Sequence, residues 1–467
     1  MITFLPKLVS RKAITVYFVT LALVSVLFVN QILPLVWVLF GTVEVCSFFY
    51  FGNVLTKQWR TFHPNVFVRK LFWTALSIRL VYAIFAYFFY DIMTGQPFMF
   101  HAADELWYYD MSKMWSEQGL TAFQKAIATT AFSDSGEIYW DAFLCKIMGP
   151  NILGVRFFHC LVGATTCVLI YQLAKRHFGE GVGRMSAIFC MLMPNLVYYC
   201  GIHLKEADLV FLTVLFVDSI DRMIVSGKFN TKYFIWALLS FLAIFTFRTV
   251  LGAIELIATF VALVFNKGPL NNWWKRVAII VVVAIAMSVT VIGNRIIGEF
   301  EEVWEGRVMN QRAGMEWRAE REGGNAFARY ASKTVFAPLI FTIPFPTMVN
   351  TPGQENQQML HGGNYVKNIM SGFVIFALVM LLLNGDWRKH TMPLALMLGY
   401  LTVIAFSNFA HSERFHQPVL PFELMFAAVG ISMLKKKHVK WIDYWMYGIV
   451  VANIAWAWFK LAGRGML

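Results

Sequence analysis

Apolar runs about as long as a bilayer crossing recur from one end of this 467-residue chain to the other, separated by short loops that carry Lys and Arg. An α-helix rises 1.5 Å per residue, so about twenty apolar residues cross a hydrocarbon core of about 30 Å. Backbone polar groups in lipid must be satisfied within their own segment, which makes such runs helices. Composition agrees: 58% of residues are hydrophobic and 14% charged, where a soluble domain carries roughly 25% charged residues. The chain is expected to be an all-α polytopic membrane protein.

The runs place about thirteen spans, at 13–29, 32–52, 71–90, 152–174, 184–201, 207–221, 232–247, 249–266, 277–296, 370–384, 391–408, 419–434 and 441–459. The first could pass for a signal peptide, but no small-residue cleavage site follows and the second comes almost at once, so both read as a retained hairpin. Five short loops set the orientation: Lys175, Arg176 and Arg184; Arg222, Lys228 and Lys232; Lys267, Lys275 and Arg276; Arg388 and Lys389; Lys435, Lys436, Lys437 and Lys440. All fall on one side of this map, the cytoplasmic one, with the N-terminus inside and the C-terminus outside. The formal charge of +13 is therefore the signature of inside loops and not of a nucleic-acid partner. Six cysteines show no metal-ligand spacing; only Cys145 and Cys200 fall near the outer face, where a disulfide between them has no support beyond position. Arg79, near the middle of the third span, must be paired or functional.

The outer face collects the polar chemistry. Segment 91–150 contains Phe100-His-Ala-Ala-Asp-Glu-Leu-Trp-Tyr-Tyr-Asp110. A helix starting there puts Asp104 and Tyr108 on one face and Glu105 and Tyr109 on the next, with Trp107, Met111, Met114 and Trp115 as an apolar stripe suited to the bilayer surface. Paired carboxylates at a lipid interface can deprotonate an acceptor or hold a divalent metal against a lipid-borne phosphate. The plainer alternative makes Asp104 an N-cap and Glu105 a first-turn charge favoured by the helix dipole. The turn Gly201-Ile-His-Leu-Lys-Glu-Ala-Asp208 adds His203, Lys205, Glu206 and Asp208; a tight turn adds Arg248; His411-Ser-Glu-Arg-Phe-His-Gln-Pro418 adds His411, Glu413 and Arg414. Each has a bland reading too, in which the arginines snorkel to headgroups and His203 and Lys205 are solvated turn residues.

The outer stretch 298–369 begins with charges interspersed at helical spacing, Glu299 to Arg329, which reads as a solvated face. Val335 to Ile343 is too short to span, and Pro344-Phe-Pro346 and Pro352-Gly353 forbid a continuing helix, so a re-entrant or surface-lying segment is expected. His361-Gly-Gly-Asn-Tyr365 reads as a flexible approach to the next span, with His361 a surface residue. The inside loops hold no P-loop and no dinucleotide fingerprint, so nucleotide-fuelled work is excluded there.

Taken together, Arg79 in its span, Asp104-Glu105 with Tyr108, Gly154-Val-Arg156, Tyr171, Arg176 and Pro194, and Glu413-Arg-Phe-His-Gln-Pro-Val-Leu-Pro421 resemble the GT-C superfamily of membrane glycosyltransferases. The likeness is to the branch of protein O-mannosyltransferases and lipid A aminoarabinose transferases, and it covers roughly residues 70–434. It implies a GT-C-like bundle with interfacial helices in two outer loops, in a cytoplasmic (inner) membrane. The divisions are an N-terminal hairpin 1–56, a catalytic core 57–434 including loops 91–150 and 298–369, and a C-terminal helix 435–467. The implied reaction is inverting transfer of a sugar from a polyprenyl-phosphate donor to a lipid, glycan or protein acceptor on the outer face. By position, Asp104 would be the base, helped by Glu105; Glu206 or Asp208 would fill a second acidic position; Arg248, Arg414 and Lys205 would meet the donor phosphate. Tyr108, His203, His361 and His411 are further candidates. Phe415 stands where relatives carry Tyr. No motif demands a cofactor, and a divalent metal stays open.

Two other classes are weighed. A lipid-linked polysaccharide polymerase or ligase would rely on arginines and a histidine of a late outer loop, here Arg312, Arg318, Arg321 and His361. A lipid flippase or transporter would show internal repeats and several mid-span charges, and the sequence offers only Arg79.

Overall fold

The computed structural model describes residues 2–128, 130, 132–265, 320, 337–407 and 410–467. It is about 81% helical and has no strand among the described residues. Three long helices come first, α1 (Lys7–Leu27), α2 (Leu35–Gln58) and α3 (Pro64–Thr94). The polar segment that follows folds as α4 (Ala103–Gln118), α5 (Leu120–Ile127) and α6 (Phe132–Met148). Next are α7 (Ile152–Phe178), α8 (Glu180–Leu192), α9 (Pro194–Tyr198), α10 (Glu206–Ser226), α11 (Thr231–Phe247) and α12 (Thr249–Phe265). The C-terminal part holds α13 (Glu355–Met359), α14 (His361–Leu383), α15 (Thr391–Ala405), α16 (Glu413–His416), α17 (Leu420–Ser432) and α18 (Val439–Ala462).

Among the described residues five helices are long and apolar enough to cross a membrane: Lys7–Leu27, Leu35–Thr61, Pro64–Thr94, Ile152–Phe178 and His361–Leu383. Three shorter apolar helices are α11, α12 and α15. The count of thirteen is thus not confirmed among the described residues, for several physical reasons. The expected span 184–201 is broken between α8 and α9, because Pro194 has no N–H to continue the ladder. The expected span 207–221 lies within α10, which carries Glu206, Asp208, Asp218, Asp221 and Arg222. Segment 419–434 supplies only the thirteen-residue α17, buried on every side, as a core helix is and a lipid-facing one is not. Helix α18 has the length but not the apolarity. The expected span 277–296 and the charged stretch with Arg312, Arg318 and Arg321 lie outside the described residues.

Pro194 also explains Arg79. The carbonyl of Cys190 would ordinarily accept from residue 194, and proline cannot donate. Arg79, 1% exposed, fills that gap from α3: its guanidinium donates to Cys190 O at 3.2 Å, to Met191 O at 3.5 Å and to Ala75 O at 3.2 Å. The mid-span arginine is therefore held by carbonyls freed at the Pro194 break and by one of its own helix, with no carboxylate within ion-pair distance among the described residues.

The expectation for 361–365 is corrected. His361 is fully buried in the first turn of α14, its Nε2 2.9 Å from the Tyr17 hydroxyl and its Nδ1 donating to Gln358 O at 2.7 Å. The paired glycines serve close packing: a Cβ at Gly362 would lie 2.6 Å from the backbone of Gly41 on α2, and one at Gly363 2.4 Å from Asn195 Oδ1. Ahead of α14, residues 342–349 run without helix yet are buried. Asn368 donates to Thr342 O and Pro344 O, Lys367 to Ile343 O at 2.6 Å, and Asn350 N to Gln31 O at 3.0 Å. Irregular backbone survives at this depth because protein groups satisfy it. All six cysteines are free.

Helix α7 fixes the long axis. Arg156 and His159 lie near its start; Arg176 and His177 lie about 30 Å further on at 1.5 Å per residue. At the far end Arg176 pairs with Asp218 at 2.8 Å and Asp221 at 2.7 Å, and Arg222 with Asp218 at 2.7 Å. The near end belongs to the cavity described next.

Candidate active site

The site begins where α3 stops at Gly95, whose left-handed φ of 76° ends the helix. The chain turns and starts α4 at Ala103, with Ala102 as an N-cap that makes no side-chain bond. Asp104 is therefore not the cap; its carboxylate accepts from the Arg414 guanidinium. Glu105, one residue on, points the other way and is 0% exposed. It accepts from Met99 N at 2.6 Å and from His203 N, and lies 3.6 Å from Arg156. Glu105 thus ties α4 to two loops and does not reach the cavity.

The cavity, about 320 Å³, has one charged wall and one apolar wall. Asp104, Tyr108, Asp134, Lys205, Arg248 and Arg414 supply the first; Phe247, Val250, Val403 and Ile404 supply the second. Arg248 sits between the last residue of α11 and the first of α12, so the tight turn itself aims its guanidinium. Its Nη2 donates to Glu206 Oε1 at 3.2 Å and its Nη1 to the Tyr400 hydroxyl at 3.1 Å, while its plane lies 4.6 Å from the Phe415 ring centroid. Arg414 bridges Glu206 through Nε and Asp104 through Nη1. Two guanidinium groups therefore converge on one buried carboxylate in the first turn of α10, where the helix dipole also favours an anion.

Burial ranks these groups. The Asp104 side chain is 55% exposed and Glu206 0%, with Arg414 at 20% and Arg248 at 11%. Burial opposes the Arg414 charge, but Glu206, Tyr108 and Asp104 more than compensate and hold it firmly protonated. Lys205 donates to Ser133 O at 3.0 Å and to Asp134, which also accepts from the Tyr108 hydroxyl at 2.8 Å. Burial raises the Asp134 carboxyl, yet Lys205 and the Tyr108 hydroxyl outweigh it and leave it below the usual carboxylate range. Burial lowers Lys205, with Arg248 adding to that and Asp134 opposing it.

The remaining candidates lie elsewhere. Asp208 turns to His159, 3.1 Å away. His203 is buried against Asp141, also at 3.1 Å. His361 belongs to the contact between α14 and the N-terminal hairpin, which removes the histidine on which the polymerase or ligase reading drew. His411 precedes α16 and does not line the cavity. Sequence reasoning gives no role to Asp134 or Tyr400. Asp134 is visible there only as one acid among eight in segment 91–150, and Tyr400 stands in an apolar run with nothing to mark it.

Fold and cavity define a multi-pass membrane protein, helical throughout its described elements, with a charged site over an apolar wall. Residues 138–292 match the family model described as dolichyl-phosphate-mannose-protein mannosyltransferase, within the GT-C superfamily. The match covers about a third of the chain and marks that segment as similar to glycosyltransferases of GT-C type. It includes Lys205, Glu206 and Arg248; Asp104 and Arg414 lie to either side. No curated protein sequence matches the chain.

Proposed function

We propose that the protein is an inverting glycosyltransferase that takes a sugar from a polyprenyl-phosphate carrier and passes it to an acceptor on the outer face of the membrane. The observation that carries the reading is that Arg248 and Arg414, which line one cavity with half-exposed Asp104, are both held from behind by buried Glu206. A lipid phosphate needs cations to bind it and to offset the charge that grows on it as the sugar leaves. Glu206 keeps both guanidinium groups oriented, so little reorganisation is needed when the phosphate arrives. Lys205 adds a third positive charge, held by Asp134.

Asp104 is the most exposed carboxylate of the group, and Asp134, the other one lining the cavity, is engaged by Lys205 and Tyr108. When the donor phosphate draws Arg414 away, the Asp104 carboxylate is released to accept the hydroxyl proton. The attacking oxygen then forms the new bond to the sugar carbon as the bond from that carbon to the phosphate oxygen breaks. Glu105 is a positioning residue here, fixing the start of α4. The apolar wall of Phe247, Val250, Val403 and Ile404 suits the first isoprene units of the carrier. Asp208 faces away from the cavity, which favours Glu206 for the second acidic position.

The test uses protein in lipid nanodiscs with a polyprenyl phosphate carrying a radiolabelled sugar. Arg248→Ala and Arg414→Ala are expected to weaken carrier binding at least tenfold, and more so together. Carrier that binds wild type and the double variant equally would sink the assignment. A polymerase or ligase would show transfer of preassembled oligosaccharide, insensitive to Asp104.

A further inference from the structure

Behind the charged wall, a second set of ionisable side chains is closed off from solvent. Glu137 and Asp141 stand one turn apart on α6, His159 faces them from α7, and His203 and Asp208 flank the start of α10. All five are at most 5% exposed. One ligand atom from each of Glu137, Asp141 and His159 lies within 4.8 Å of the others. His159 Nε2 is 3.7 Å from Glu137 Oε1 and 3.1 Å from Asp208 Oδ2. Neither oxygen of Glu137, nor either of Asp141, has a hydrogen-bond partner among the described residues.

Two arguments turn this cluster into a site. The first is charge: three buried carboxylates face only two imidazoles, since Lys205 is already engaged with Asp134. Unpaired buried carboxylates are strongly disfavoured, so either protons or an added cation must neutralise them. The second is orientation. His159 Nδ1 lies 3.2 Å from the Ile202 carbonyl, which can only accept. Nδ1 therefore carries a proton, and Nε2 is the ring atom aimed at Glu137 and Asp208, where a proton or a bound cation must stand between it and the carboxylates. Imidazoles that bind metals are commonly held in this way.

We propose that Glu137, Asp141 and His159, with Asp208 as fourth ligand, form a buried site for one divalent transition metal, Zn²⁺ or Mn²⁺. Bonds of about 2.0–2.2 Å put tetrahedral ligand atoms about 3.4 Å apart, between the two separations found at His159. An imidazole among carboxylates favours these ions over Ca²⁺ or Mg²⁺. His203 Nε2 lies 3.1 Å from Asp141 Oδ2, at ion-pair distance and without a hydrogen bond, so it balances charge beside the site and leaves the carboxylate oxygens open. Because the site is closed, the metal is structural: it clamps α6 to α7 and α10, and so holds Asp134 and Lys205, each a turn or less from a ligand, against the cavity.

The test is metal content, measured without donor or acceptor so that its failure is independent of the transferase reading. Full-length protein in detergent is stripped with EDTA, exposed to ZnSO₄ or MnCl₂, desalted and analysed by mass spectrometry of the elements. Wild type should retain about one equivalent and Glu137→Gln and His159→Gln less than about a tenth of that, each eluting as a monodisperse species. Wild type should also unfold several degrees higher with metal than after stripping, a readout that stands if the variants do not fold. Wild type that retains neither metal and unfolds at one temperature throughout would overturn the site, as would equal retention by folded Glu137→Gln; in either case the carboxylates are neutralised by protons.

Discussion

Asp104 and Glu206 bond the same guanidinium, that of Arg414, from opposite sides, and burial separates them: one side chain is half exposed, the other wholly enclosed. A surface pair of the first kind is worth little, commonly about 0–1 kcal/mol, which leaves Asp104 free to exchange partners. Asp134 is a third case, with Lys205 and Tyr108 keeping its carboxyl below the ordinary value of 3.8. The sign follows from linkage: a carboxyl depressed in the folded state contributes stability above its unfolded pKa and loses it as pH falls through the folded value. Wild type is therefore expected to exceed Asp134→Asn in unfolding temperature at pH 7, with the gap closing below about pH 4. Thermal unfolding of both proteins across pH in one detergent measures this; a gap independent of pH would contradict it. Of these residues, Asp104 and Tyr108 are legible through their helical spacing, and Arg248, Arg414 and Lys205 through the side of the membrane they share. Asp134 and Tyr400 are not, because their partners are 71 and 152 residues away and only packing joins them.

At the level of elements, proline and glycine carry most of what sequence periodicity misreads. Pro194 divides an apolar run that hydropathy treats as one span, and the freed carbonyls then hold Arg79. Gly362 and Gly363 suggest flexibility, but at a helix contact the same lack of a side chain permits close approach, and it brings α14 onto α2. A Gly362→Ala Cβ would meet the Gly41 backbone, which cannot rotate aside, so destabilisation of about 1–3 kcal/mol or more is expected. On α18, a Cβ added at Gly448 would meet nothing within 4 Å, and Gly448→Ala should be neutral or slightly stabilising. Equal unfolding temperatures for the two variants would contradict the close helix contact. Helix type itself is readable throughout, since apolar runs leave the backbone no other partner; helix length is not, because burial within the protein relaxes the need for twenty apolar residues.

For the whole molecule, α7 sets the cavity and the Arg176–Asp218–Asp221 network about 30 Å apart, near the thickness of a hydrocarbon core. The proposed topology puts the cavity outside and that network inside. Five of the six native cysteines are buried, so a single introduced thiol reports cleanly. Glu117→Cys is expected to react with a membrane-impermeant maleimide in intact cells, and Lys232→Cys only after permeabilisation; the reverse pattern would invert the topology. The central claim is that Asp104 takes the acceptor proton while the arginines hold the donor. Its most direct test is sugar transfer from a labelled polyprenyl-phosphate donor by wild type and Asp104→Asn at matched expression, with donor binding measured on the same samples. The account predicts unchanged or tighter binding and a fall in transfer of at least about 100-fold, the contribution expected of a general base. Transfer by Asp104→Asn at the wild-type rate would contradict it.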